Sequence, residues 1–175
     1  MRNTFLFLAV FLPSILLAQG PALKELNLLC ITEFPTTSFV GFSGAGKIDI
    51  RFVNSNGVGY MPIHSGLITI NDIELLKKRA EVLKNIPDVN EFSFDLKNCE
   101  VYQDQTFRCA NGTSFKGKDG KEMIPFSLSS IKHKKTFSDF RYEETEIMLG
   151  LEIDKENYFI NMTYAPHECG LDFKR

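Results

Sequence analysis

The 175-residue sequence contains no tryptophan, only three histidines and no C-x-x-C pair. The spacing of its four cysteines fits no zinc pattern, so neither a metal ion nor a cofactor is predicted. It also lacks a concentrated basic patch, which argues against nucleic acid as a partner. After Leu17 no apolar run is long enough to cross a bilayer as a helix, so no transmembrane anchor is expected.

An apolar run is present at the start of the chain, from Phe5 to Leu17, after Arg2 and before small residues. This order is typical of a secretory signal peptide. We predict cleavage after Ala18, with Gly20 as the alternative position. The expected organisation is a signal peptide over 1–18 and a single disulfide-stapled β-rich domain over 19–175, secreted or periplasmic.

Export would place the four cysteines in an oxidising compartment, where they can form disulfides. Four cysteines allow three pairings, and symmetry about Asp104 favours one of them. If residues 103–105 form a turn, Cys99 faces Cys109 in an antiparallel pair, within the distance that a disulfide tolerates. Cys30 and Cys169 then remain, and their bond would join the first strand to the C-terminal segment.

Strand signals dominate the rest of the chain. Apolar and polar residues alternate around 48–52, 92–97 and 147–153, as in strands with one buried face. Asn56-Gly57 and Asp119-Gly120 are hairpin signals, and a polar turn is expected over 154–157. The predicted fold is mainly β, an antiparallel β-barrel or sandwich with one amphipathic α-helix over about 72–86.

The predicted helix begins with the N-cap Asn71, which Glu74 complements three residues later. Its apolar face is formed by Ile73, Leu76, Ala80 and Leu83, and Asn85 and Pro87 end it. Such a stripe indicates packing against the sheet, with a partner-binding groove as the minority interpretation.

Two segments resemble functional motifs, a phosphate-binding loop and a catalytic pair, and the first is rejected. The segment 41–48 resembles a phosphate-binding loop, but Ile48 follows the lysine where Ser or Thr is needed, and a strand follows instead of a helix. We therefore interpret it as a glycine-rich bend. His64 beside Ser65 is the least implausible catalytic residue of a small exported hydrolase, although neighbouring strand residues point to opposite faces.

The charged clusters are interpreted as solvated surface, and the two glycosylation patterns are not assigned a role. The run 132–135 is basic, and we interpret it as a solvated edge or turn that could also protect an open strand edge. Glu143, Glu144 and Glu146 are interpreted as a solvated strand face. Asn111 and Asn161 both begin an N-x-T pattern, but Asn161 falls within a predicted strand.

Three functional hypotheses remain. The first is an exported non-enzymatic β-domain that binds a protein or an envelope component, favoured because no catalytic constellation is found. The second is a carrier of a small apolar ligand, with a barrel cavity lined by Phe92, Phe94, Ile147, Leu149 and Leu151. The third is the small exported hydrolase.

Overall fold

The structure is a computed structural model that describes residues 22–31, 37–54, 81–82, 84–137 and 139–175. These residues form eleven strands and one 3-10 turn at Leu96–Asn98. The strands are β1 Glu25–Ile31, β2 Thr37–Gly44, β3 Lys47–Asn54, β4 Val89–Asp95, β5 Cys99–Val101, β6 Phe107–Ala110, β7 Phe115–Lys116, β8 Glu122–Phe137, β9 Phe140–Ile153, β10 Glu156–Tyr164 and β11 Cys169–Lys174.

The strands form two antiparallel sheets. The first sheet has the order β11-β1-β2-β3-β4, and the second has the order β10-β9-β8-β6-β5, with β7 paired to β8. The fold is therefore mainly β, as predicted, and is like a sandwich. The described strands do not close into a barrel, so the barrel alternative is wrong for them.

The core lies between the inner faces of the two sheets. In β9, Ile147, Leu149 and Leu151 are fully buried because alternate side chains of a strand point to the same face. Phe39 and Phe52 stack across β2 and β3 with ring centroids 4.8 Å apart. Burial of these aromatic and branched side chains is the main source of stability in the sandwich.

Both predicted disulfide pairs are present in the structure. Cys30 of β1 is bonded to Cys169 of β11, and Cys99 of β5 is bonded to Cys109 of β6. Each pair sits directly opposite in its antiparallel ladder. Val101 also faces Phe107, as the turn centred on Asp104 predicts.

The hairpin turns agree with the sequence with one adjustment. Gly46 and Gly120 both have positive φ, which glycine accommodates without steric cost. The glycine-rich bend therefore joins β2 to β3, as expected. The turn between β9 and β10 is shorter than predicted, because Glu156 already lies in β10 and only Asp154 and Lys155 form the turn.

A short segment after β6 connects the two sheets. Gly112 N–H donates to Pro125 O of β8 at 2.7 Å, and Gly112 forms a bridge with Phe94 of β4. Thr113 N–H donates to Ser93 O, and Ser93 N–H donates to Thr113 Oγ1, each at 2.8 Å. These bonds satisfy backbone groups at an edge of β4, so this edge is partly covered.

Several predictions concern residues outside the described part of the chain. The signal peptide over 1–18, the Asn56-Gly57 turn and His64 are among them. The helix over 72–86 falls mostly there as well. Residues 81, 82, 84 and 85 have helical backbone, and Ile86 is fully buried, but the helix as a whole remains a prediction.

Candidate binding arm

The longest two strands project beyond their neighbours as a two-stranded ribbon. β8 pairs with β6 only from Ser127 to Ser129, and β9 pairs with β10 only from Thr145 onward. β8 and β9 nevertheless remain paired with each other as far as Phe137 and Phe140. We call residues 132–145 the arm.

The tip of the arm presents aromatic side chains to solvent. Phe140 is 79% exposed, the largest exposure among the large hydrophobic side chains of the described residues. Tyr142 is 40% exposed and lies two residues further along β9, on the same face. A protruding, solvated aromatic group is a common feature of protein-binding surfaces, because its burial by a partner is favourable.

Cross-strand ion pairs connect the two strands of the arm. Lys132 Nζ lies 3.4 Å from Glu143 Oε1 on the inner face. On the other face, Lys135 Nζ lies 2.5 Å from Glu144 Oε2. Opposite charges across a ladder stabilise the pairing modestly, and the arm has little hydrophobic burial to help it.

The base of the arm has a small polar network. His133 Nε2 lies 2.6 Å from Glu146 Oε2, and Asn161 Nδ2 of β10 donates to Glu146 Oε1 at 2.8 Å. The network therefore ties three adjacent strands together where the arm leaves the sheet. It also engages the Asn161 side chain, whereas Asn111, directly after β6, is exposed and has a φ of 58°.

The basic run of β8 and the acidic cluster of β9 thus lie across from each other in one antiparallel ladder. The basic run lies within β8, so its interpretation as a turn is wrong. It does lie on an open strand edge, since no described strand other than β9 pairs with β8 beyond Ser130. The acidic cluster faces it across the ladder. The two clusters lie at similar distances on either side of 138–139, which is compatible with this pairing but does not by itself predict it.

The surface has two open clefts, one beside the arm and one at the opposite end of β8 and β9. The first has a volume of about 280 Å³ and lies below the arm, between Lys132, Glu143, Gln105 and Cys169. The second has a volume of about 310 Å³, between Val82 and the turns that hold Asp119 and Asp154. Both linings mix charged and polar side chains with apolar ones, such as Phe107 and Ile147 in the first cleft and Met123 and Ile153 in the second.

The five residues proposed to line a carrier cavity lie in the core. Phe92, Phe94, Ile147, Leu149 and Leu151 are all buried members of one hydrophobic cluster. Phe92 packs against Phe94 with ring centroids 5.8 Å apart. These side chains fill the space between the sheets, where the carrier hypothesis expected a ligand.

Ser130, His133 and His167, whose side chains are of types used in catalysis, lie in the described part of the chain. Ser130 Oγ, in the first cleft, accepts a hydrogen bond from Phe107 N–H at 3.0 Å. His133 is engaged with Glu146, and His167 is exposed in the turn before β11.

No group of three or more His, Cys, Asp or Glu side chains suited to a metal ion occurs in the described part of the chain. None of its helices is long and apolar enough to span a membrane.

No protein family, curated protein or solved structure matches this chain. The two disulfides suggest an oxidising, extracellular or periplasmic location, because such bonds persist in those surroundings.

Proposed function

We propose that the protein is an exported, non-enzymatic binding domain that uses its arm to hold another protein or an envelope component. The observation that supports this most directly is the 79% exposure of Phe140 at the end of a two-stranded projection. An exposed aromatic residue on such a projection has no role in the core, since it lies beyond the strands that cover the sandwich. Its burial by a partner would be favourable.

The charge of the arm supports recognition by shape and aromatic contact. The arm has four basic side chains, Lys132, Lys134, Lys135 and Arg141, and three acidic ones, Asp139, Glu143 and Glu144, and a fourth carboxylate, that of Glu146, lies at its base. Three of the basic groups, counting His133, already face a carboxylate within the arm or at its base. A partner of strongly opposite charge is therefore not required.

Export of the domain is the other part of the proposal. It is supported by the two disulfides and by the apolar segment that follows Arg2. Intact-mass measurement of protein from its native host should give a chain that begins at Gln19 and contains no free thiol. A chain that keeps Met1 and has four free thiols would contradict export.

The binding role is tested by comparing Phe140→Ser with Phe42→Ser. Phe42 is a matched control because it is also an exposed phenylalanine on a strand, 63% exposed, but lies in β2 of the other sheet. The immobilised proteins are incubated with envelope and medium fractions of the host, and bound components are quantified by mass spectrometry.

We expect at least one component that wild type and Phe42→Ser retain equally and that Phe140→Ser loses by about tenfold, as for loss of an interface anchor. Equal retention of every component by the two variants would contradict a binding role for the arm. Melting temperatures of both variants serve as the folding control.

A further inference from the structure

One edge of the arm is open along five residues of β9. From Thr145 onward β9 pairs with β10, whose last paired residue is Tyr164. From Phe140 to Glu144 no described strand other than β8 pairs with β9. Among the described residues no strand takes up the backbone groups that point away from β8 along this stretch, so an added strand could pair there.

The five edge residues read Phe-Arg-Tyr-Glu-Glu, and the central three are self-complementary in one antiparallel register. When two identical strands pair about a two-fold axis, one residue lies directly opposite its own copy, and the axis passes between the two. This follows because directly opposed residues of an antiparallel pair both point their N–H and C=O groups toward the partner strand or both point them away from it. An axis at Arg141 or Glu143 would bring two like charges together. An axis at Tyr142 places Arg141 opposite Glu143 of the second copy.

We propose that two copies of this chain associate through this edge, in an antiparallel two-fold pairing of residues 140–144 centred on Tyr142. The symmetry creates two Arg141–Glu143 ion pairs on one face of the joined arms. On the other face, Tyr142 meets Tyr142 of the second copy. Phe140 lies diagonal to that tyrosine and directly opposite Glu144, whose carboxylate is paired with Lys135 of its own chain. Cross-strand aromatic and opposite-charge pairs are the contacts that stabilise antiparallel ladders.

The side chains needed for this pairing are available in the single chain. Arg141 is exposed, and no ion pair involves it among the described residues. Glu143 is 42% exposed, and its contact with Lys132, at 3.4 Å, is long for a charge-assisted hydrogen bond. Both can therefore face a second copy without first breaking a buried contact.

The opposite edge of the arm, in β8, is unsuited to self-association. An axis at Lys134 would set that lysine against itself, and an axis at His133 would set Lys132 against Lys134. Like charges directly opposite one another destabilise a ladder. Lysines on an open edge are a known protection against pairing, so the charges favour β9 over β8 as the site of association.

The antiparallel direction also keeps the two sandwiches apart. Each body begins at Thr145, at one end of the five-residue edge, and each tip lies at the other end. Antiparallel pairing places the body of one copy beyond the tip of the other. The shared ladder is about 17 Å long, five residues at about 3.4 Å each, so the association is expected to be weak and reversible.

The inference goes beyond the proposed function because it concerns the backbone edge of the arm and not the capture of another component. It is measured on the purified protein alone. Failure of self-association would leave the host-fraction experiment unaffected, and loss of host binding would leave the self-association result unaffected.

The test uses two charge reversals, Arg141→Glu and Glu143→Arg, studied separately and mixed. Each variant alone sets like charges opposite one another at both symmetric positions, and we expect its dimer dissociation constant to rise about tenfold or more. An equimolar mixture restores opposite charges at both positions, and we expect its association to return to within about threefold of wild type. Sedimentation velocity over a concentration series gives these constants.

Arg51→Glu is the matched control, since Arg51 is an exposed arginine in β3 of the other sheet. We expect this variant to associate as wild type does. A wild type that stays monomeric up to about 1 mM, or a mixture that associates no better than its two components, would overturn the proposal. Restoration by mixing also shows that both variants are folded.

Cysteine cross-linking tests the register independently. Tyr142→Cys places two cysteines opposite each other across the axis, at the Cα separation of an antiparallel pair, which suits a disulfide. Arg141→Cys places them two residues out of register. We expect mild oxidation to give a covalent dimer for Tyr142→Cys at least about tenfold faster than for Arg141→Cys. Equal rates would rule out an axis at Tyr142.

Discussion

Cys30 and Cys169 lie directly opposite one another in β1 and β11, at one end of a six-pair antiparallel ladder. At the other end of this ladder Lys174 Nζ lies 2.7 Å from Glu25 Oε2. The first and last described strands are thus neighbours in one sheet, held by a covalent bond between residues 139 positions apart in the sequence.

We predict that removing this bond destabilises the domain more than removing Cys99–Cys109. In the chain-entropy model a loop of 139 residues corresponds to about 5 kcal/mol, and a loop of 10 residues to about 3 kcal/mol. Replacing both cysteines of a pair by serine avoids a free thiol. We expect the variant without Cys30–Cys169 to melt about 5 °C or more below the variant without Cys99–Cys109 under oxidising conditions.

Reduction of the wild type supplies the control for this comparison, because it removes both bonds at once. The reduced protein should melt below either variant. Equal melting temperatures for the two variants would contradict the loop-length explanation.

Gly112 is predicted to tolerate no larger side chain. A Cβ atom there would lie 2.9 Å from Phe94 Cε1 and 2.9 Å from the backbone oxygen of Pro125. Since Gly112 connects the two sheets, neither neighbour can move without disturbing the sandwich. We expect Gly112→Ala to lower the free energy of unfolding by about 1–3 kcal/mol, measured by urea titration.

Gly170→Ala is the matched control, because a Cβ at Gly170 has no heavy atom within 4 Å. That variant should unfold within about 0.5 kcal/mol of wild type. An equal loss of stability in the two variants would show that the close approach at Gly112 is not the cause.

Stability should fall at alkaline pH because of Tyr164. This side chain is fully buried in the structure, and its burial, with a smaller contribution from Glu168, raises the pKa of Tyr164 above its ordinary value near 10. As the pH rises above 10, the unfolded chain releases the proton while the folded chain keeps it. The free energy of unfolding should therefore decrease by about 1.4 kcal/mol for each pH unit, until the folded pKa is reached.

The comparison of Tyr164→Phe with Tyr102→Phe checks this prediction. Tyr102 is 46% exposed, and its hydrogen bond to Glu100 also raises its pKa, but without deep burial, so its removal should change the alkaline slope less than removal of Tyr164 does. Tyr164→Phe should flatten the slope between pH 10 and about 12, in urea titrations at fixed ionic strength. An unchanged slope in Tyr164→Phe would show that another group controls alkaline stability.

Local patterns predicted much of the sandwich. The alternation from Ile147 to Ile153 predicted one buried face of β9, and the symmetric spacing about Asp104 predicted the Cys99–Cys109 register. Both depend on contacts between residues close in sequence, where strand period and turn length determine which side chains meet. The pairing of Cys30 with Cys169 followed by elimination.

The arm was not predicted, because its stability depends on pairs formed across the β8–β9 turn. Taken alone, Lys132 to Lys135 looks like a solvated run, and Glu143 and Glu144 look like a solvated face. Only the register that sets β8 against β9 shows them as one ladder. The role of Gly112 was also missed, since a close approach between two sheets leaves no periodic signal in the sequence.

The adjacency of β1 and β11 has a mechanical consequence. Tension applied between Glu25 and Lys174 would peel apart the six-pair ladder one residue at a time and would then reach the Cys30–Cys169 bond. Beyond that point the Cys30–Cys169 disulfide carries the force, so no residue between positions 30 and 169 is under tension. If either end of the domain is tethered, pulling on the other would leave the sandwich and its arm unstretched.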